Sequence, residues 1–261
     1  MSVDHRELLD VASAAADAAA AILGERFGRP AAGVTTKSSA TDMVSEADRA
    51  AEAAILAVLT RERPTDGILG EEGTDRAGST GVRWIVDPLD GTTNYLWGYP
   101  HWAVSVAAHD ERGPLVGVVL DVCRGERYAA ARGAGATRNG VPLVLAPPRM
   151  LDSALVATGF NYDAAERRRQ GSVVQRIIPL VRDVRRAGAC ALDLAWVADG
   201  RVDAYFERGV QAWDWAAGVL LVSEAGGAWR AIDPSPPRPA GICAAHPDML
   251  DAVLELFEGD A

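Results

Sequence analysis

The sequence predicts a layered α/β fold, and three observations carry that prediction. The first 60 residues hold two stretches with apolar residues at helical spacing. Four short β-like runs follow between Arg83 and Ala131. Beyond Pro147-Pro148, strand-like and helix-like segments alternate, the pattern of a sheet covered by helices. Pro147-Pro148 is the expected boundary between residues 1–147, a helix pair on a large, mostly antiparallel sheet, and residues 148–261, a smaller α/β part. A cleft is expected between the two.

The elements follow in order. Leu8, Leu9, Ala12, Ala15, Ala16, Ala19, Ile22 and Leu23 share one helical face, and Gly28 and Pro30 stop that helix. After the polar loop Lys37-Ser38-Ser39-Ala40-Thr41-Asp42, Ser45 can cap a second helix with Asp48 three residues on. That helix runs to about Thr60. Ile68-Leu69-Gly70 and Arg83-Trp84-Ile85-Val86 read as short strands, the second stopping at Asp87-Pro88 before a helix restarts near Gly91-Thr92. Trp102–His109, Pro114–Val122 and Glu126–Ala131 are β-like, and Asn139-Gly140 marks a hairpin turn. In the second part, Leu155–Thr158, Val202–Phe206 and Gly241–Ala245 are expected strands. Ala164–Arg182 (shortened or kinked at Pro179), Leu192–Ala198, Asp214–Ala225 and Asp248–Phe257 are expected helices.

Bulk composition excludes several functions. The chain has 261 residues, 49% of them hydrophobic, and a mean hydropathy near zero, so it can bury a large core and is neither disordered nor a membrane protein. A net charge of −10 repels nucleic-acid phosphates. The same charge suits an enzyme acting on phosphates only if some carboxylates hold divalent cations. The three cysteines, Cys123, Cys190 and Cys243, show neither zinc spacing nor a disulfide framework. None begins a Cys-x5-Arg phosphatase loop. The four histidines are scattered, and His101 and His109 flank a strand. No basic segment precedes the Ala-rich first helix and no apolar run reaches spanning length, so a cytoplasmic location without a signal peptide is expected.

The chemistry lies in the carboxylates. Glu71 and Glu72 end one short strand, Asp87 and Asp90 bracket a turn at the end of another, and Asp214 opens a helix. Two carboxylates three residues apart on one turn converge comfortably only around a cation, and hard oxygen donors select Mg²⁺ or Mn²⁺. Each piece also has an ordinary reading. Asp87, Asp90 and Asp214 are good helix caps, and Glu71-Glu72 taken alone is a solvated acidic pair. Their joint occurrence favours a site.

Trp84-Ile85-Val86-Asp87-Pro88-Leu89-Asp90-Gly91-Thr92-Thr93-Asn94-Tyr95 resembles the first signature of inositol monophosphatases, and Trp213-Asp214-Trp215-Ala216-Ala217-Gly218, continuing to Glu224-Ala225-Gly226-Gly227, resembles the second. Gly70-Glu71-Glu72 and Lys37-Ser38-Ser39-x-Thr41-Asp42 match in the family's order, so the resemblance runs over nearly the whole chain. It implies a layered α-β-α-β-α sandwich, dependence on two or three Mg²⁺ ions with Mn²⁺ as a substitute, lithium inhibition and a homodimer. By position it implies Glu71, Asp87, Asp90 and Asp214 as side-chain metal ligands, with the Leu89 carbonyl as a backbone ligand. Thr92, with Asp48 beside it, resembles the pair that activates the attacking water, and Glu71 belongs with them catalytically. The amides of Gly91 and Thr92 resemble the phosphate cradle. Glu72 and Lys37 are placed near a further metal.

The resemblance also implies the substrate side. Glu207 matches the position that holds inositol hydroxyls, with Asp90 facing the same alcohol. Ala189 and Cys190, in Gly188-Ala189-Cys190-Ala191-Leu192-Asp193, match a segment lining that pocket. Here Ala189 replaces the usual hydroxyl residue and Cys190 a residue more often Ala. Arg185 and Arg186 stay open between a phosphate and a dimer contact. The expected reaction is hydrolysis of myo-inositol 1-phosphate or a similar polyol or sugar phosphate, a small-molecule ester, with no nucleic-acid or membrane partner. Thr93-Asn94-Tyr95 favours this branch over relatives acting on 3′-phosphoadenosine 5′-phosphate or histidinol phosphate. The alternatives are histidinol phosphate, fructose 1,6-bisphosphate or a nucleotide 3′-phosphate on the same fold, and, in another class, a catalytically silent regulatory binding protein.

Overall fold

The computed structural model describes residues 4–29, 32–36 and 43–258. The loop Lys37-Ser38-Ser39-x-Thr41-Asp42, and with it Lys37, lies outside the described residues.

Two helices form the first layer, α1 (His5–Arg26) and α2 (Glu46–Glu62), with the two-residue strands β1 (Thr35–Thr36) and β2 (Met43–Val44) between them. Asp4 caps α1 through Arg6 N–H, and Ser45 caps α2 in a complete capping box with Asp48. Both helices lay their apolar faces on the large sheet and on each other.

That sheet holds β3 (Gly67–Gly70), β4 (Asp75–Arg76), β5 (Arg83–Asp90), β6 (Ala103–Asp110), β7 (Gly113–Asp121), β8 (Glu126–Ala131), β9 (Gly135–Arg138) and β10 (Val141–Leu143). Its order is β10-β9-β8-β7-β6-β5-β3-β4. All pairs are antiparallel except β3 with β5. The short helix α3 (Thr92–Leu96) follows β5 directly. Strand alternation divides the cores. Val104, Val106 and Ala108 of β6 face α1 and α2, whereas Ala103 and Ala107 face the other way. On β5, Trp84 and Val86 join the first core and Ile85 the second.

The middle layer is α5 (Cys190–Ala198) and α6 (Ala212–Glu224), almost wholly apolar because both of its faces are covered. The second sheet lies beyond it, in the order β12-β11-β13-β15-β14, with β11 (Leu155–Thr158), β12 (Asp183–Arg185), β13 (Ala204–Arg208), β14 (Ala228–Ile232) and β15 (Gly241–Ala245). The outer layer is α4 (Ala164–Ile177) and α7 (Pro247–Glu258), packed on each other, with α7 lying over β13–β15. The result is the α-β-α-β-α sandwich. Among the described residues, no helix is long and apolar enough to cross a membrane.

Four local expectations need correction. The strand read as stopping at Val86 continues to Asp90, because a bulge between Asp87 and Asp90 lets it re-pair with β6. The helix read from Ala164 to Arg182 ends at Ile177, with Pro179 in a single 3₁₀ turn, and Asp183–Arg185 becomes an edge strand. Strand β14 was not expected, since Ala228–Ile232 mixes a tryptophan and an arginine on a half-exposed edge. Helices α5 and α6 start two residues earlier than read, at Cys190 and Ala212.

Candidate active site

The site forms where β5 breaks its register. Ile85 points to the middle layer, and alternation sends Asp87 the same way, toward the start of α6. Leu89 N–H donates to Asp87 Oδ1 at 2.9 Å, closing the turn around Pro88. Gly91 then takes a left-handed conformation (φ +89°). A side chain there would also stand 3.1 Å from the His101 carbonyl, so glycine is required twice over. Helix α3 has only five residues, too few for a strong aligned dipole. Any anion cradle here rests on the Gly91 and Thr92 amides themselves.

Thr92 and Asp48 meet as expected. The Thr92 hydroxyl lies 3.0 Å from Asp48 Oδ1 and 3.1 Å from the Leu89 carbonyl. The other Asp48 oxygen accepts from Ser45 N–H at 2.8 Å and from Ser45 Oγ at 2.5 Å. The capping box therefore fixes Asp48, which is 1% exposed, with one oxygen aimed at Thr92.

Four acids gather beside this pair. Asp87 is buried; burial first, then Glu71, Asp90 and Asp214, push its carboxyl well above the carboxylate range, and it shares a hydrogen bond with Glu71. Burial first and Glu71 next do the same to Asp214, whose Oδ2 accepts from Gln211 N–H at 2.6 Å in the first turn of α6. Asp90 is raised to about 7, chiefly by burial and then by Glu71 and Glu207, against the lowering effect of two backbone donors. Those donors are Ala191 N–H at 2.7 Å and Cys190 N–H at 3.2 Å. They open α5, whose cap residue Ala189 has no side-chain oxygen to offer. Asp90 caps that helix from 100 residues away.

Donor chemistry decides whether these residues fit a cation. Among the described residues no three His, Cys, Asp or Glu side chains form a ready-made metal cage. The acids are gathered without being closed. Still, burial, Glu71, Asp90 and Asp214 all disfavour the charge of Asp87, and four carboxylates in one crevice cannot all ionise without positive charge between them. Hard oxygen donors match Mg²⁺. The residues fit.

The residues expected on the substrate side also come together. Burial first, then Asp214, Glu207 and Asp90, disfavour ionisation of the Cys190 thiol, and Glu207 also comes close enough to disfavour that of Asp214. Ala189 and Cys190 are both buried. Arg185 is taken by Asp183 at 2.5 Å. Arg186 lays its guanidinium across Gly188 beside Asn94 and attracts Glu207. Asn94 Nδ2 donates to the carbonyls of His101 at 2.7 Å and Ala187 at 2.9 Å, tying the turn after β5 to the segment before α5. His101 is buried against the edge of Trp196 and held neutral, its pKa pushed to about 4 by burial and then by Arg124, in keeping with a structural residue.

Sequence reasoning missed Glu52. It is 5% exposed and accepts from Glu72 N–H at 2.8 Å and Thr74 Oγ1 at 2.6 Å, so it holds the strand end that carries Glu71. The signal was available, because Glu52 lies one helical turn after Asp48 on the buried face of α2. Glu72, expected near a further metal, is held here by its backbone. A cavity of about 260 Å³ opens on the opposite face of the second sheet, between α4 and α7, and the four gathered acids are not among its lining residues.

Residues 4–259 match the inositol monophosphatase family. The chain belongs to that family. It is 42% identical to an inositol-1-monophosphatase of Mycobacterium bovis over 94% of this chain and 92% of the relative. It is 40% identical to the Nus factor SuhB of Escherichia coli over 84% and 83%. The crystal structure of extragenic suppressor protein suhB from Bartonella henselae superposes with a TM-score of 0.88 at 33% identity, covering 97% of this chain and 99% of the other. The inositol monophosphatase family is one of phosphatases and is generally metal-dependent, which agrees with the donor set described above.

Proposed function

We propose that the chain hydrolyses the phosphate monoester of a small polyol, with myo-inositol 1-phosphate as the leading substrate, and that Mg²⁺ is required. The observation that carries this is the Thr92–Asp48 hydrogen bond standing beside four gathered acids, of which Asp87, Asp90 and Asp214 are disfavoured as ions by burial and then by Glu71. Glu71, Asp87, Asp90 and Asp214, with the Leu89 carbonyl, would hold the cations. When bound, these neutralise the ester's charge and lower the pKa of a coordinated water. Thr92 Oγ1 orients the attacking water and takes its proton while passing its own to Asp48 Oδ1. Ser45 keeps Asp48 from turning away. The Gly91 and Thr92 amides receive phosphate oxygens, and Glu207 accepts from substrate hydroxyls.

Phosphate release from a panel of esters, with Mg²⁺ and with EDTA, tests the reading. Asp87→Asn and Asp214→Asn should each abolish turnover and leave the fold intact. Unchanged activity in either removes that residue from the site. A preference for histidinol phosphate, fructose 1,6-bisphosphate or a nucleotide 3′-phosphate would keep the chemistry and change the substrate. Lithium inhibition, a homodimer and a cytoplasmic location belong to the same proposal and rest on the family resemblance.

A second reading is a regulatory binding protein without turnover. In its favour is the E. coli relative's name, Nus factor SuhB. The net charge of −10 counts against direct contact with nucleic acid. Phosphate release equal in Mg²⁺ and EDTA would bring this reading forward.

A further inference from the structure

Glu207 is held from behind by a residue that the mechanism does not use. Tyr205 and Glu207 lie two apart on β13 and so face the same way, toward the middle layer. Tyr205 is fully buried, and its hydroxyl donates to Glu207 Oε2 at 2.6 Å. The Cys190 thiol lies close to the same hydroxyl. The far side is closed by Gly159, where a Cβ would stand 1.9 Å from Glu207 Oε2, so the carboxylate lies flat on bare backbone. Among the described residues Oε1 receives no hydrogen bond.

We propose that Tyr205 is a positioning residue that pins Glu207 through Oε2 and presents Oε1 to the substrate's hydroxyls, so that this relay sets the preference for polyol phosphates over simple esters. The proposal rests on the phosphatase reading above and deepens it. A glutamate on a strand has several rotamers to lose, and a buried donor that can only donate to it selects one.

The test compares kcat/KM for inositol 1-phosphate with kcat/KM for p-nitrophenyl phosphate, which has no hydroxyl for Glu207 to hold. In Tyr205→Phe that ratio should fall about tenfold, the loss lying in KM for inositol 1-phosphate and not in kcat. Equal losses on both substrates, or an unchanged ratio, would overturn the relay. A crystal structure of Tyr205→Phe decides the geometry without turnover. Glu207 displaced from Gly159 supports the proposal, and Glu207 in its original place overturns it. If the wild-type protein hydrolyses no ester, the functional reading fails while the crystallographic result still judges the relay.

Discussion

The hydroxyl of Thr92 stands 3.0 Å from the carboxylate of Asp48, a residue 44 positions earlier in the chain. Asp48 has two duties in one side chain. One oxygen completes the α2 capping box with Ser45, and the other is left for Thr92. A capping residue is thus also the fixed end of a proton path.

Thr92→Val keeps the shape and removes the hydroxyl. Its kcat should fall by about 10²–10⁴, the range for losing a positioned proton carrier, with KM little changed. Thr92→Ser should recover part of the rate. Steady-state kinetics at saturating Mg²⁺ measure both, and a kcat within threefold of wild type for the valine variant would remove Thr92 from the proton path.

Gly70→Ala should be costly although the change is one methyl group. The new Cβ would meet Glu52 Oε2 at 2.6 Å and displace the carboxylate that holds Glu72 N–H and Thr74. A loss of about 1–3 kcal/mol is expected from such overpacking. The concentration of Mg²⁺ needed for half-maximal activity should rise, because Glu71 is carried by the same strand end. Urea unfolding and a Mg²⁺ titration test this. Wild-type values in both would show that Glu52 does not support the site.

Metal and pH should be linked in a defined direction. Burial, then Glu71 and Glu207, raise Asp90 from 3.8 to about 7. The unfolded chain therefore gives up this proton first, and stability falls as pH rises through that window, with the full loss above pH 7. His101 and His109 act oppositely. Burial chiefly lowers both from 6.5 to about 4, so their contribution is lost as pH falls from 6.5 toward 4. Mg²⁺ binds the ionised carboxylates, so it should raise Tm markedly at pH 8 and little at pH 5. Thermal unfolding with and without Mg²⁺ at both pH values gives the answer, and equal shifts would contradict it.

Arg208 anchors the far side of the second sheet. It is 4% exposed, forms a bidentate pair with Glu258 at 2.8 and 2.6 Å, and donates to the carbonyls of Asp233 and Pro239. Arg208→Leu should destabilise the protein by about 2–4 kcal/mol, because it takes a buried donor away from Glu258 and two carbonyls, while Arg238 still shares Glu258. A change under about 0.5 kcal/mol in urea unfolding would show that the network is dispensable.

The sequence by itself determined what is local. Helical spacing in α1 and α2, the Ser45–Asp48 cap, the alternation along β6 and β7, and the Asp87–Gly91 turn are written within a few residues of one another, and so they can be read along the chain. Tertiary structure decided what depends on who arrives from elsewhere. Strands β12 and β14 exist because β11 and β15 offer them edges. Helix α5 begins at Cys190 because Asp90 supplies the oxygen that Ala189 lacks. Tyr205 reads as a core residue until its hydroxyl is seen to donate to Glu207. The physical reason is range. Propensity, capping and periodicity act over one turn or one strand, whereas desolvation and charge act through space, between groups that only the packed layers bring together.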